Sequence, residues 1–330
     1  MQNQTHRAGS VRARSAPRAT LLLAFAIAAL SILPALAEEL TLEKIPFNGA
    51  RAYDYLNQLC DIGPRVTASR GMKRQQELLT KHFEQLGAKV TLQKFIERQG
   101  GAGQKTNMAN LIVEWHPEAK ERILLCAHYD TRPFPDRDPV KPQGTFVGAN
   151  DGGSGVALLM ELGNEMLKLK CKYGVDFVFF DAEEFVYDER EKYFVGSEKF
   201  ARQYALQKKT RKFDYRWGVL LDMVGDADLQ LPQERNSISW SEVRPLVAEI
   251  WGTAKRLGVK EFVPQVGMEI RDDHLELFNT GKIPTCDIID FDYGPGHGYW
   301  HTEQDIPAHC SALSLAKVGW VISEWLKTAK

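Results

Sequence analysis

The sequence predicts an α/β fold: one domain of three layers, α/β/α, around a central mixed, mostly parallel sheet. Three observations carry this. Apolar, strand-like runs alternate with amphipathic helical stretches along most of the 330 residues, the pattern of βα units. The runs Ile123–Ala127, Val175–Phe180 and Trp217–Leu221 are too apolar for half-exposed strands and fit a sheet covered on both faces. Each run also ends in polar residues, namely His128-Tyr129-Asp130, Asp181-Ala182-Glu183-Glu184 and Asp222. Open α/β sheets bind ligands at these carboxyl ends.

In chain order, residues 1–37 read as a secretory signal peptide. Arg7, Arg12, Arg14 and Arg18 precede the apolar run Ala19–Leu33, and Ala35-Leu36-Ala37 follows, the basic, apolar, small-x-small order of such segments. The run is shorter than the ~20 residues a spanning helix needs. Export to the periplasm or medium is therefore expected, with cleavage near Ala37 and no stable membrane insertion afterwards; the alternative is an uncleaved anchor or membrane tether. Residues 38–46 are expected to form a leader and 47–330 a single folded domain. Helical spacing falls at Ala50–Cys60 and Gly71–Leu86, and strand patterns at Lys89–Phe95, Met108–Glu114 and Ile123–His128. Helices at Ser154–Leu169, Tyr193–Ala205, Trp240–Leu257 and Ala312–Leu326 then alternate with strands at Val175–Asp181, Trp217–Asp222 and Thr285–Phe291, following the periodicity rules. Trp217, Trp240, Trp251, Trp320 and Trp325 fall at core spacing. The Pro-rich stretch Arg132–Gly144 fits a lid or a plain surface loop, since long loops have both fates.

Hydrophobic residues make up 44% and charged residues 26% of the chain, an ordinary globular balance. A net charge of −1 supplies no basic field for nucleic acid, so recognition must come from a local site. Cys60, Cys126, Cys171, Cys286 and Cys310 match no Cys-x-x-Cys zinc spacing and read as buried thiols with room for one disulfide. A monomer is expected.

Taken singly, each polar motif has a plain reading. Asp151 before Gly152-Gly153-Ser154 serves as a helix cap or turn residue, and Glu183-Glu184 as a solvated pair. Taken together, His128, Asp151, Glu183, Glu184, Asp222, Asp272 and His301 are oxygen and imidazole donors without cysteine. That donor set suits a catalytic zinc, which takes three protein ligands and keeps a position open. Adjacent Glu183 and Glu184 diverge at a strand end, so one can hold metal while its neighbour transfers protons.

Ala127-His128-Tyr129-Asp130, Phe146–Asp151, Phe179–Glu184, Leu220–Gly225 and Tyr299–Thr302, in this order, resemble the superfamily that joins zinc aminopeptidases with animal-type (type II) glutaminyl cyclases. The resemblance runs from about Tyr53 to Trp325 and implies a zinc-exopeptidase-like fold. It implies Zn2+ on Asp151, Glu184 and His301, with Glu183 as general acid/base. His128 and Asp222 match positions that bind a second zinc in two-metal aminopeptidases, whereas the cyclases hold one. Trp300 directly before His301 is similar to the cyclase pattern. Asp272 in Asp272-Asp273-His274 resembles the cyclase aspartate that hydrogen-bonds with the acid at Asp222, which makes Glu183, Asp222 and Asp272 the implied catalytic set. The implied activity is glutaminyl-peptide cyclotransferase, turning the N-terminal Gln of peptides or proteins into pyroglutamate with release of ammonia. The alternative is an exported zinc aminopeptidase. A binding protein that has lost its chemistry would lack a ligand or base, and none is missing. Departures occur in the aromatic positions after Glu-Glu and before Trp-His, where Tyr187 and Tyr299 are expected to join Trp300 at the substrate. Asp290 stands about where the cyclases have a histidine.

Overall fold

The structure is a computed structural model, which describes residues 40–99, 103–188 and 190–330. The expected signal peptide and the first two leader residues lie outside the described residues. Two capped amphipathic helices open the fold. Asn48 accepts the Arg51 N–H at the start of α1 (Gly49–Asp61), and Ser69 accepts the Met72 N–H at the start of α2 (Arg70–Gln85). Each cap satisfies an otherwise orphaned donor. The buried stripes are Ala52, Leu56 and Leu59 on α1 and Met72, Gln75, Leu79 and Phe83 on α2, as a 3.6-residue period requires.

Next come β1 (Lys89–Arg98), β2 (Lys105–Trp115), β3 (Glu121–His128), α3 (Gly155–Met166), β4 (Gly174–Phe180), α4 (Val195–Leu206) and β5 (Asp214–Asp222). The chain closes through β6 (Leu231–Gln233), α5 (Arg235–Ser239), α6 (Arg244–Leu257), β7 (Phe262–Val266), α7 (His274–Asn279), β8 (Thr285–Ile289) and α8 (Ala312–Thr328). Six strands form one sheet in the order β1-β2-β4-β3-β5-β8. β4, β3, β5 and β8 run parallel, while β1–β2 and β2–β4 are antiparallel. β6 and β7 pair separately in parallel.

Alternation along β4 explains the three layers. Val175, Phe177 and Phe179 enter the large core with α1, α2, α3, α6 and α8, while Val178 and Phe180 enter a smaller core with Phe200 and Tyr204 of α4 and Leu277 of α7. Asp176, inside this apolar strand, is matched by Arg122 Nε at 2.9 Å and Tyr215 Oη at 2.6 Å. Removing either charge of such a buried pair would cost about 3–5 kcal/mol.

The expected helix Trp240–Leu257 is broken. α5 ends at Ser239, and α6 begins at Arg244 with Pro245 in its first turn, the one helical turn that tolerates proline. The strand expected to Phe291 stops at Ile289, because Asp290 receives the Gln230 and Asp292 N–H groups and turns the chain. Trp217, Trp251 and Trp325 are buried, and Trp240 and Trp320 pack partly buried against the core. All five cysteines are free thiols, so the room for a disulfide is not used. No helix among the described residues is long and apolar enough to cross a membrane.

Candidate metal centre

His128 ends β3, Asp222 ends β5, and Glu183-Glu184 follow β4. The parallel strands therefore deliver them to one edge of the sheet, as their topology requires. Asp151 arrives from the tight turn Asn150–Ser154 ahead of α3. Gly152 makes this turn possible: its φ is +79°, and a Cβ there would meet the Asp130 carbonyl oxygen at 2.4 Å. His301 lies in the segment between β8 and α8 with φ +57°. Ala182 and Met223, beside Glu183 and Asp222, are also left-handed. Such residues persist only where surrounding contacts over-determine them, and they gather at functional sites.

Two buried carboxylates pin the backbone. Asp130 accepts the N–H groups of Glu183 at 3.0 Å and Glu184 at 3.1 Å. Asp305 accepts those of Asn150 at 2.7 Å and Asp151 at 3.1 Å, and the Tyr293 hydroxyl at 2.9 Å. Sequence reasoning singled out Asp130 only as part of His128-x-Asp130 and missed Asp305, four residues beyond His301.

Ligand atoms of Asp151, Glu184 and His301 lie within 4.8 Å of one another, as do those of His128, Asp151 and Asp222, and those of His128, Glu183 and Glu184. Nε2 of His301 is 2.7 Å from Glu184 Oε1 and 3.5 Å from Asp151 Oδ2. His128 Nε2 is 3.1 Å from Asp151 Oδ1 and 3.2 Å from Asp222 Oδ1. Asp151 Oδ2, Glu184 Oε2 and His301 Nε2 are buried without a hydrogen-bond partner. Unsatisfied buried polar atoms are rare and costly, and a cation among these three would satisfy all of them. The donor set fits zinc.

The electrostatics separate the adjacent glutamates. Burial pushes both upward, but His301 and Arg132 outweigh it at Glu184 and hold that carboxyl down at about 2. At Glu183 burial prevails, opposed by His128 and reinforced by Glu184 and Asp272, so its pKa lies well above the usual range. Burial, with the Asp222 and Asp273 charges, also raises Asp272 well above its ordinary value. Burial and the Glu184 charge bring Asp151 to about 7.

A cavity of about 340 Å³ opens over this centre and is lined by Asp151, Glu183, Glu184, Asp222, Asp272, Trp300 and His301. Of the three aromatic residues expected at the substrate, Trp300 lines it and the two tyrosines do not. Tyr299 packs over Gly294, where no Cβ stands in its way, and stacks on His309 at 3.9 Å. Tyr187 is held beside Phe134 and Phe185 and is 46% exposed. Phe291, Tyr193 and Phe194 supply the further aromatic lining, and Phe291 meets Trp300 edge-on at 4.9 Å. Asp290 lies outside this lining.

The Pro-rich stretch is tied to the centre. Asp136 Oδ1 faces His301 Nδ1 at 3.4 Å, and Arg132 grips both Asp136 oxygens at 2.9 Å while reaching Glu184 Oε1 at 3.3 Å. Arg137 donates its N–H to the His301 carbonyl and lays its guanidinium over Trp300, 4.0 Å from the ring centroid. The Pro-rich stretch stood out in the sequence, but nothing marked Arg132 or Asp136 within it as contacts of the centre, because Glu184 and His301 lie far along the chain.

The model of peptidase family M28 matches residues 110–326. The crystal structure of Fimbriiglobus ruber glutaminyl cyclase is similar at 41% identity, covering 86% of this chain and 96% of that one with a TM-score of 0.82. A Zn-dependent exopeptidase from Parabacteroides distasonis is similar at 31% identity, with coverages of 86% and 98% and a TM-score of 0.78. The glutaminyl-peptide cyclotransferase of Drosophila melanogaster is 26% identical over 263 residues, which are 73% of this chain and 70% of that protein. The family and the exopeptidase neighbour suggest that the metal is zinc.

Proposed function

The chain belongs to peptidase family M28, and from that premise we propose that it is a glutaminyl-peptide cyclotransferase, an acyltransferase that closes N-terminal glutamine to pyroglutamate and releases ammonia. The observation that carries the reading is one cavity holding three unsatisfied ligand atoms, a carboxyl of raised pKa at Glu183, and the acid pair Asp222 and Asp272 beside the Trp300 wall. The similar glutaminyl cyclases favour the same activity.

One zinc ion held by Asp151, Glu184 and His301 would supply Lewis-acid polarisation of the γ-carbonyl. Glu183 takes a proton from the α-amine as its nitrogen bonds to the γ-carbon, and returns a proton to the amide nitrogen as the C–N bond breaks and ammonia departs. Burial and the neighbouring acids shift its pKa upward, the direction that suits a base that must also act as an acid. Asp222 and Asp272, which both line the cavity, hold the departing nitrogen, an arrangement that requires one of the two to be protonated. Trp300 and Phe291 keep the glutamine folded on itself in a near-attack shape. Peptide and protein N-termini are the substrates, and the chain works as a monomer. The signal segment 1–37, the leader 38–46 and the catalytic domain 47–330 divide it for export to the periplasm or medium.

The second grouping, His128, Asp151 and Asp222, favours an alternative: two zinc ions and an aminopeptidase that frees N-terminal residues. Zinc content per chain, followed by assay of a Gln-initiated peptide, separates the readings. One zinc with ammonia released and no free amino acid is the expected result. Two zincs with free amino acids and no ammonia would overturn it.

A further inference from the structure

The cavity over the metal centre does not stand alone. Met268, Ile270, Ile289 and Phe291 line it on one side and also line a second cavity of about 240 Å³. The two cavities therefore adjoin and share these four residues. Met268 is 57% exposed and forms the rim between them.

The two cavities differ in charge. The first carries Arg132, Arg137 and Arg271 in its lining beside the acids of the centre. Among the described residues, the lining of the second includes no lysine or arginine, whereas it includes Asp290, Asp292 and Glu234. Glu234 is committed, since its oxygens receive the N–H groups of Asn236, Ser237 and Ile270. Asp290 receives two backbone N–H groups, while Asp292, also in the lining, is exposed. The remaining surface is largely apolar and includes Pro232 and Val263. A long apolar stem ending in a cation fits this combination, because such side chains bury their methylenes and keep the charged end near water or an acid.

Resting on the cyclase reading above, we propose that the second cavity is a binding site for the side chain of the third substrate residue, and that it selects arginine or lysine there. In an extended peptide, side chains two residues apart point the same way at a spacing of roughly 7 Å. With the N-terminal glutamine over the metal centre, the second residue crosses the Met268 rim and the third enters the adjoining cavity. Its stem packs on Val263, Ile270 and Phe291, and its charge meets the exposed Asp292. A glutamate at that position meets the same carboxylate and is disfavoured.

The experiment measures ammonia release from Gln-Ala-Xaa-Ala-amide peptides, with Xaa as Arg, Lys, Leu, Ala or Glu, on the zinc-loaded full chain. The expected order is Arg and Lys first and Glu last, with about a tenfold span in kcat/KM from stem burial and charge together. Asp292→Lys, an exposed change that leaves packing alone, should reverse the preference between Arg and Glu. Equal kcat/KM for Arg and Glu peptides, or a preference that Asp292→Lys leaves unmoved, would overturn the inference while the cyclase reading stands. Absence of ammonia from every Gln peptide would remove the cyclase reading and this site with it.

Discussion

Replacing Asp136 by alanine tests whether the Pro-rich stretch supports the metal centre. In the structure Asp136 faces His301 Nδ1 at 3.4 Å and receives both Nε and Nη2 of Arg132 at 2.9 Å. Arg132 at the same time reaches Glu184 Oε1 at 3.3 Å. Without Asp136, the His301 ring loses the carboxylate that orients it, and the Arg132 charge falls on Glu184 alone, where it competes with a cation for the same oxygens. Loss of a carboxylate behind a histidine ligand typically costs 10- to 100-fold in metal affinity. The Asp136 side chain is 48% exposed, and solvent weakens exposed charge contacts, so the lower end applies: about tenfold, or about 1.4 kcal/mol. Competition with a chromophoric chelator gives the zinc Kd of each form, and circular dichroism checks that both are folded. A variant Kd within twofold of the parent would refute the reasoning.

Glu183→Gln should lower turnover by about 10²–10⁴-fold, the range for a lost general acid/base. Zinc content should stay at the parental value, and turnover near the parental rate would rule out the role of Glu183. Asp130→Ala removes two charge-assisted hydrogen bonds from a buried turn and should destabilise by about 3 kcal/mol, read from urea midpoints. Gly152→Ala forces a Cβ into a left-handed turn against backbone at 2.4 Å. It should cost about 2 kcal/mol or more in the same assay. Asp290, raised by burial to about 7, is protonated in the folded chain and ionised in the unfolded chain between about pH 4 and 7. Stability should therefore be fully present below pH 4 and fall by about 1.4 kcal/mol per pH unit across that window. Asp290→Asn should remove this share of the slope, at a pH-independent cost of one hydrogen bond, and identical slopes in the two proteins would disprove the assignment.

Much of the architecture was legible because burial on both faces writes itself as uninterrupted apolar strands. Ile123–Ala127, Val175–Phe180 and Trp217–Leu221 all fall within strands of the central sheet. The polar residues that follow these strands were legible for the same reason, since a strand end is where buried chain meets the site. The break before α6 was not, because residues 240–257 keep helical spacing while Pro245 restricts where the helix can begin. The roles of Asp305, Asp136 and Phe291 were hidden as well. Asn150 and Asp151 lie far from Asp305 in sequence, and His301 far from Asp136. No local pattern distinguishes an aspartate that receives backbone N–H groups from one in water, and Phe291 read only as the end of a strand. Tyr299 precedes Trp300 in sequence, but its ring packs over the bare Gly294 while Trp300 lines the cavity.

The carboxylate anchors at Asp130 and Asp305 and the left-handed residues Ala182, Met223 and His301 have a kinetic consequence. Donor groups fastened to the sheet through their own backbone need no metal to assemble them. An ion can thus enter or leave by exchanging a few bonds, and the ordering entropy is met once, during folding, rather than at each loading. The centre then behaves as a socket rather than a clasp: the chain keeps its shape between occupants, and the rate of exchange is set by ligand dissociation and not by refolding.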